Sequence, residues 1–182
     1  QQDTQPFVRS FAGRDWLFIH NGQVDKNRLH HLCTHRSSFL QPVGNSDSEL
    51  AFSYFLSKLN AGKHKKLNDV GDYELLSWFK EVDQLGSSDF AITDGQSIVL
   101  YHGYNSTDQL FYTRLLPPRN KLSIESKYIM VDCDNTINAS RSMLVVASQP
   151  CSDDPWIELA PGQLLLTHRA LVIRDCCTGK TS

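Results

Sequence analysis

The chain of 182 residues is long enough to bury the core of one domain without disulfide or metal crosslinks. Hydrophobic residues make up 40% and charged residues 21%, a composition that argues against disorder over most of the length. The formal charge of −2 gives no electrostatic basis for binding nucleic acid or an anionic membrane, so we expect neither as a partner.

The first half of the chain predicts one strand and two helices. Residues 16–20 are rich in aromatic and β-branched side chains and predict a short buried strand. A helix is predicted to begin at Ser46, which is the N-cap, with Glu49 three residues later as its reciprocal partner. A second helix is predicted over residues 72–85, because its apolar residues lie near helical spacing and a glycine follows.

After residue 86 the pattern changes to strands joined by turns. Residues 89–104 predict two strands joined by a hairpin turn at Asp94-Gly95. Further strands are predicted in residues 110–116, 126–132 and 142–150, and on both sides of a turn at Pro161-Gly162. The order of elements indicates an α+β fold with helices layered on antiparallel sheet, and residues 1–182 are expected to form a single domain.

The dipeptide Asn21-Gly22 directly follows the first predicted strand. Asn-Gly is the commonest dipeptide of a tight hairpin turn, which is one interpretation. However, the residues after Gly22 do not alternate as a partner strand would. An asparagine at the end of a buried strand can instead direct its side-chain amide, with the following backbone N–H, at an oxyanion. The residues alone leave both interpretations open.

A second polar group lies at the start of the first predicted helix. Ser46 and Glu49 are accounted for by a helix N-terminus. Asp47 lies in the first turn, where the helix requires no carboxylate beyond a modest dipole effect. Asp47 is therefore a candidate for binding the ammonium group of a substrate.

Other patterns indicate no cofactor. His31 and His35 are four residues apart with Cys33 between them, but a zinc site needs three or four converging ligands and no companion cluster is present. The sequence has no Gly-rich phosphate loop, no Gly-x-Ser-x-Gly elbow and no His-Glu-x-x-His helix. We therefore expect neither a metal nor another cofactor.

The use of cysteine predicts a reducing compartment. The five cysteines are an odd number without Cys-x-x-Cys spacing, which argues against a disulfide framework and a zinc ribbon. No run is long and apolar enough to span a bilayer, and no signal peptide is visible. A cytoplasmic protein is expected.

The two polar groups, Asn21-Gly22 and the residues around Asp47, are more informative together than either is alone. The stretch FIHNGQV, followed after a loop by PVGNSDSELAF, resembles the class-II glutamine amidotransferases, a family of N-terminal-nucleophile hydrolases. The stretches DTQPF, ITDGQSIVLYH, VVASQP and WIELAPGQLLL resemble, in order and spacing, a single-domain branch that includes γ-glutamyl hydrolases. The resemblance covers nearly the whole chain and implies the αββα sandwich of that family.

The resemblance also implies site residues and a reaction. Asn21 and Gly22 match an oxyanion hole, to which they would contribute a side-chain amide and a backbone N–H. Asp47 matches the carboxylate that pairs with the α-ammonium of glutamine or a γ-glutamyl compound, with Ser46 and Ser48 shaping the pocket around it. The implied reaction is hydrolysis of that amide through cysteine attack, an acyl-thioester and release of glutamate.

The chain departs from the family pattern at the nucleophile. The family uses an N-terminal cysteine whose own α-amino group is the general base, whereas position 1 is Gln1 and no cysteine occupies a matching place. The family's substrate-carboxylate arginine is absent, and Asp3 and Gln5 replace an asparagine and a histidine of its motif. We therefore expect the N-terminal strands with the nucleophile to be missing and the isolated chain to be inactive, with a partner chain or an N-terminal segment as the source of the missing part.

Two other functions stay open. The chain could be a non-catalytic binding or interaction module that keeps Asp47 as a ligand site. A cysteine hydrolase that uses Cys33 with His31 or His35 is chemically conceivable, although no motif supports it.

Overall fold

A computed structural model of the chain describes residues 4–33, 40–117, 123–125, 130–132 and 141–177. The chain divides into two compact units, one of residues 1–107, 160–168 and 172–182 and the other of residues 108–159 and 169–171. The single-domain assignment of residues 1–182 stays a prediction.

Within the described residues the chain forms three α-helices and eleven strands. The helices are α1 (Lys26–Leu32), α2 (Asp47–Ala61) and α3 (Asp72–Asp83). The strands are β1 (Phe7–Phe11), β2 (Arg14–Val24), β3 (Gly86–Thr93), β4 (Ser97–His102), β5 (Phe111–Leu115), β6 (Ser123–Glu125), β7 (Met130–Asp132), β8 (Met143–Ala147), β9 (Ile157–Glu158), β10 (Leu164–His168) and β11 (Leu171–Cys176).

The larger unit is built on a six-stranded sheet in the order β1-β2-β3-β4-β10-β11. The pairs β1–β2, β2–β3, β3–β4 and β4–β10 are antiparallel. The smaller unit contains a three-stranded sheet in the order β8-β5-β9 and the two-stranded pair β6–β7.

One face of the large sheet packs against helices α2 and α3. Phe18 of β2 stacks on Phe52 of α2, with 5.2 Å between the ring centroids. Phe55 of α2 stacks on Phe79 of α3 at 4.4 Å, which joins the two helices over the sheet. These side chains are nearly fully buried, because period-2 alternation in β2 and helical spacing in α2 direct apolar residues into one core.

The opposite face of β1 and β2 is more exposed. Val8 and Ile19 are 57% and 49% exposed there. His20 lies on the buried face, so its neighbour Asn21 lies on the exposed face. This alternation directs the Asn21 side chain away from the helices.

The prediction of helices layered on antiparallel sheet is confirmed, and both predicted helices are present. The first strand was predicted too short, because β2 runs from Arg14 to Val24 and contains Asn21-Gly22. The hairpin-turn interpretation of that dipeptide is therefore wrong. Strand β1 and helix α1 were not predicted. No helix in the described part of the chain is long and apolar enough to cross a membrane.

Candidate functional site

The two polar segments identified in the sequence meet at the end of β2. The backbone N–H of Val24 donates to Oδ2 of Asp47 at 2.8 Å. The Ser48 hydroxyl lies 3.0 Å from Nδ1 of His20. These contacts occur on either side of Asn21-Gly22 in β2, so this part of the strand lies beside the N-terminus of α2.

Gly22 occupies a position that only glycine fits without strain. Its φ of 137° lies in the region that L side chains rarely adopt. A Cβ at this position would lie 2.2 Å from the Ser87 carbonyl oxygen of the neighbouring strand β3. The close approach of β2 and β3 beside Asn21 therefore depends on the missing side chain.

Replacing Gly22 by alanine is expected to lower the free energy of unfolding by roughly 2–4 kcal/mol, through backbone strain and a steric clash together. Urea denaturation measures this loss. Gly13→Ala is the matched control, because Gly13 also has a positive φ (73°) but a Cβ there would meet nothing within 4 Å. Equal losses in the two variants would contradict the close approach at Ser87.

The carboxylate of Asp47 is held by backbone donors. In addition to the Val24 contact, Oδ1 accepts the backbone N–H of Ser48 at 2.9 Å. The residue is only partly buried. Since a carboxylate has about four acceptor sites, Asp47 is oriented and still has capacity for a ligand ammonium.

The loop before α2 is fixed by Glu49. Its carboxylate accepts the backbone N–H groups of Val43 at 2.9 Å and Gly44 at 2.6 Å, and it forms a 2.6 Å ion pair with Arg9.

The Ser46 hydroxyl caps α2 by accepting the N–H of Glu49 at 3.0 Å. Ser46 therefore lies next to Asp47 as the predicted N-cap, and its observed contact is structural.

His20 supports the strand beneath Asn21. Burial lowers the pKa of His20 below its ordinary value of 6.5, and the carboxylates of Asp47 and Asp89 and the contact with the Ser87 carbonyl only partly oppose this. The ring is thus neutral near pH 7. The Ser87 carbonyl oxygen, 3.4 Å from Nε2, can only accept a hydrogen bond. The Ser48 hydroxyl, which also lies 3.5 Å from Oδ1 of Asp47, can either donate to Nδ1 or accept from it.

Gln5 holds the same strand from the side of β1. Its side-chain N–H donates to the His20 carbonyl at 2.8 Å, and its side-chain oxygen accepts the His20 N–H at 2.6 Å. Gln5, which replaces the histidine of the family motif, therefore contacts β2 next to Asn21. Gln1 and Asp3, the other departures, lie outside the described residues.

Sequence reasoning missed a buried pair on the neighbouring strands. Oδ1 of Asp89, in β3, lies 2.6 Å from Nδ1 of His102, in β4, and both residues are about 5% exposed. The sequence predicted the hairpin at Asp94-Gly95 but not the register of its two strands. That register places Asp89 directly opposite His102.

The remaining candidates do not form a site in the part of the chain that is described. No group of three or more His, Cys, Asp or Glu side chains there could hold a metal ion. Cys33 is buried at the end of α1 and its N–H donates to the His30 carbonyl. His31 is exposed in α1, and His35 lies outside the described residues.

Comparison with known proteins identifies relatives along nearly the whole chain. The family model for glutamine amidotransferases of class II matches residues 1–181. A candidate glutamine amidotransferase of Haemophilus influenzae is 27% identical over 163 residues, which cover 88% of this chain and 52% of that protein. The crystal structure of a predicted glutamine amidotransferase from Pseudomonas aeruginosa matches with a TM-score of 0.76 and 25% identity, covering 95% of this chain and 65% of that one.

A structure with lower sequence identity shares the fold of this chain. The glutamine phosphoribosylpyrophosphate amidotransferase of B. subtilis matches at a TM-score of 0.56 and 14% identity, covering 97% of this chain and 32% of that one. Its fold is the N-terminal-nucleophile type, so the predicted fold class is confirmed. The chain spans 44% to 61% of the length of the curated relatives it matches.

Proposed function

The chain belongs to the class-II glutamine amidotransferases, and from that premise we propose that it carries part of a site that hydrolyses the amide of glutamine or of a γ-glutamyl compound. Asn21 and Gly22 are the proposed oxyanion hole, and Asp47 the proposed partner of the substrate α-ammonium. Ser46 and Ser48 shape the pocket around Asp47.

The observation that supports this proposal is the bond between Asp47 and the Val24 N–H, two residues beyond Gly22. It keeps a partly exposed carboxylate beside the candidate oxyanion hole. A substrate with an ammonium group at one end and an amide carbonyl at the other could contact both groups at once. Such two-point binding orients the carbonyl for attack.

The proposed chemistry proceeds in two steps. A cysteine thiol attacks the amide carbon while its proton passes to the α-amino group of the same cysteine, and the oxyanion accepts from Asn21 and Gly22. The C–N bond then breaks as that ammonium gives the proton to the leaving nitrogen, which departs as ammonia or an amine. Water then attacks the acyl-thioester, the C–S bond breaks, and glutamate leaves. We propose that the nucleophile comes from outside these 182 residues, from an N-terminal segment or a partner chain.

The cytoplasmic location expected from the cysteines belongs to the same proposal, because a reducing compartment keeps a thiol nucleophile reduced. None of the four cysteines that the structure describes is in a disulfide.

The test compares the 182-residue chain with the complete protein from its natural source, by measuring glutamate released from L-glutamine and from a γ-glutamyl amide. We expect release by the complete protein, loss of release after alkylation with iodoacetamide, and no release by the 182-residue chain. Release by the chain that is lost in Cys33→Ala would instead favour the cysteine-hydrolase alternative. Binding of glutamine by the complete protein without any release would favour a non-catalytic module.

A further inference from the structure

Three polar side chains form a row across β2, β3 and β4. Asn21 lies directly opposite Asp89, and Asp89 lies directly opposite His102, in the registers of the two antiparallel pairs. Directly opposite residues point to the same face of a sheet, with their Cβ atoms about 4.5–5.5 Å apart. Asp89 is therefore the immediate neighbour of Asn21 on the face that carries the candidate oxyanion hole.

The carboxylate of Asp89 is held in one orientation. Its Oδ1 accepts from Nδ1 of His102 at 2.6 Å and from the backbone N–H of Gly103 at 3.2 Å, and its Oδ2 accepts from the Ser106 hydroxyl at 2.6 Å. The backbone of Gly103, which supplies one of these donors, packs closely against β3. A Cβ on Gly103 would lie only 2.2 Å from the Ser88 carbonyl oxygen. Three donors thus occupy three of the roughly four acceptor sites of a carboxylate, and the fourth is on Oδ2.

We propose that Asp89 is a positioning residue for Asn21, an inference that rests on the proposed function. In the reactive complex, Oδ2 of Asp89 accepts one N–H of the Asn21 amide, and the other N–H points at the oxyanion. An asparagine amide presents either its oxygen or its nitrogen after a rotation of 180°, and only the nitrogen can donate. A fixed acceptor beside Asn21 selects the donating orientation, because a carboxylate repels the amide oxygen.

The Asp89 carboxylate depends in turn on its three donors, which are His102, Gly103 and Ser106. A carboxylate close to a developing oxyanion opposes its negative charge, and this cost falls when donors bind the carboxylate. The three contacts therefore fix the direction of Asp89 and also reduce its repulsion of the oxyanion. His102 is buried, so this role requires no access for the substrate.

The test is a double-mutant cycle on glutamine hydrolysis by the complete protein. We expect Asp89→Ala to lower kcat about tenfold, the effect of one lost charge-assisted hydrogen bond, with little change in KM. In an Asn21→Ala background, Asp89→Ala should cause almost no further loss, because it acts through the Asn21 amide. Losses that multiply in the double variant would overturn the inference and leave the proposed function standing.

A second pair of variants separates positioning from folding. His102→Asn places an N–H donor near the position of Nδ1, whereas His102→Leu removes the donor. We expect His102→Asn to keep most of the activity and His102→Leu to match Asp89→Ala, with near-UV circular dichroism to verify the fold. Equal loss in both His102 variants would overturn the inference. If Asp89→Ala does not fold, Asp89→Asn replaces it in the cycle. Its amide oxygen is expected to take the Oδ1 position and accept from His102 and Gly103, which leaves an NH₂ group instead of an acceptor at the Oδ2 position. Absence of glutaminase activity in the wild-type complete protein would overturn the proposed function itself, and this inference with it.

Discussion

Replacing Asn21 by alanine is expected to lower kcat for glutamine hydrolysis by the complete protein about 10²- to 10³-fold. The side-chain amide is proposed to bind the oxyanion, which exists only in the tetrahedral transition state and intermediate. Its loss should therefore lower kcat and kcat/KM equally and leave KM almost unchanged. Steady-state measurement of glutamate release gives both constants.

Asn27→Ala is the matched control for this variant. Asn27 is exposed in α1, and its backbone N–H, which the substitution keeps, donates to the Asp25 carboxylate. We expect wild-type kinetics for this control. Turnover close to the wild-type rate in Asn21→Ala would contradict the assignment of Asn21 to the oxyanion hole.

Replacing Asp47 by asparagine is expected to raise KM and the dissociation constant for glutamine roughly 10- to 100-fold, the effect of losing one charge-assisted bond. The substitution removes the negative charge that would pair with the α-ammonium. It keeps an oxygen that can accept the Val24 N–H, so the contact between β2 and α2 is retained. Isothermal titration calorimetry and steady-state kinetics measure the two constants.

Asp72→Asn tests whether this effect is specific. Asp72 is also the first residue of its helix, α3, but its side chain is 60% exposed and pairs with Arg174. A general effect of charge at a helix N-terminus would appear in both variants. The site assignment predicts an effect on glutamine binding only in Asp47→Asn, and equal effects would contradict it.

The sequence was sufficient for the elements whose signals are local. The apolar face of α2, its Ser46 cap and the hairpin at Asp94-Gly95 are all encoded within a few residues, and each is present in the structure. Helix α1 also had a local signal that was not used. The Asp25 side chain caps it by accepting the N–H groups of Asn27 and Arg28.

The missed features depend on contacts between distant residues. The Asn21-Gly22 dipeptide has the local signature of a turn, but it lies within β2, where Gly22 permits the close approach of Ser87 in β3. The pairing of Asp89 with both Asn21 and His102 depends on strand register, which composition and spacing do not determine. The Asp47–Val24 bond likewise joins residues whose proximity only the tertiary fold creates.

The most direct test of the central claim is a crystal structure of the complete protein with L-glutamate bound. The account predicts that the α-ammonium donates to the Asp47 carboxylate. It also predicts that one γ-carboxylate oxygen accepts from both the Asn21 side-chain amide and the Gly22 backbone N–H. Glutamate bound at another place, or bound here with no contact to Asn21 and Asp47, would contradict the proposed site.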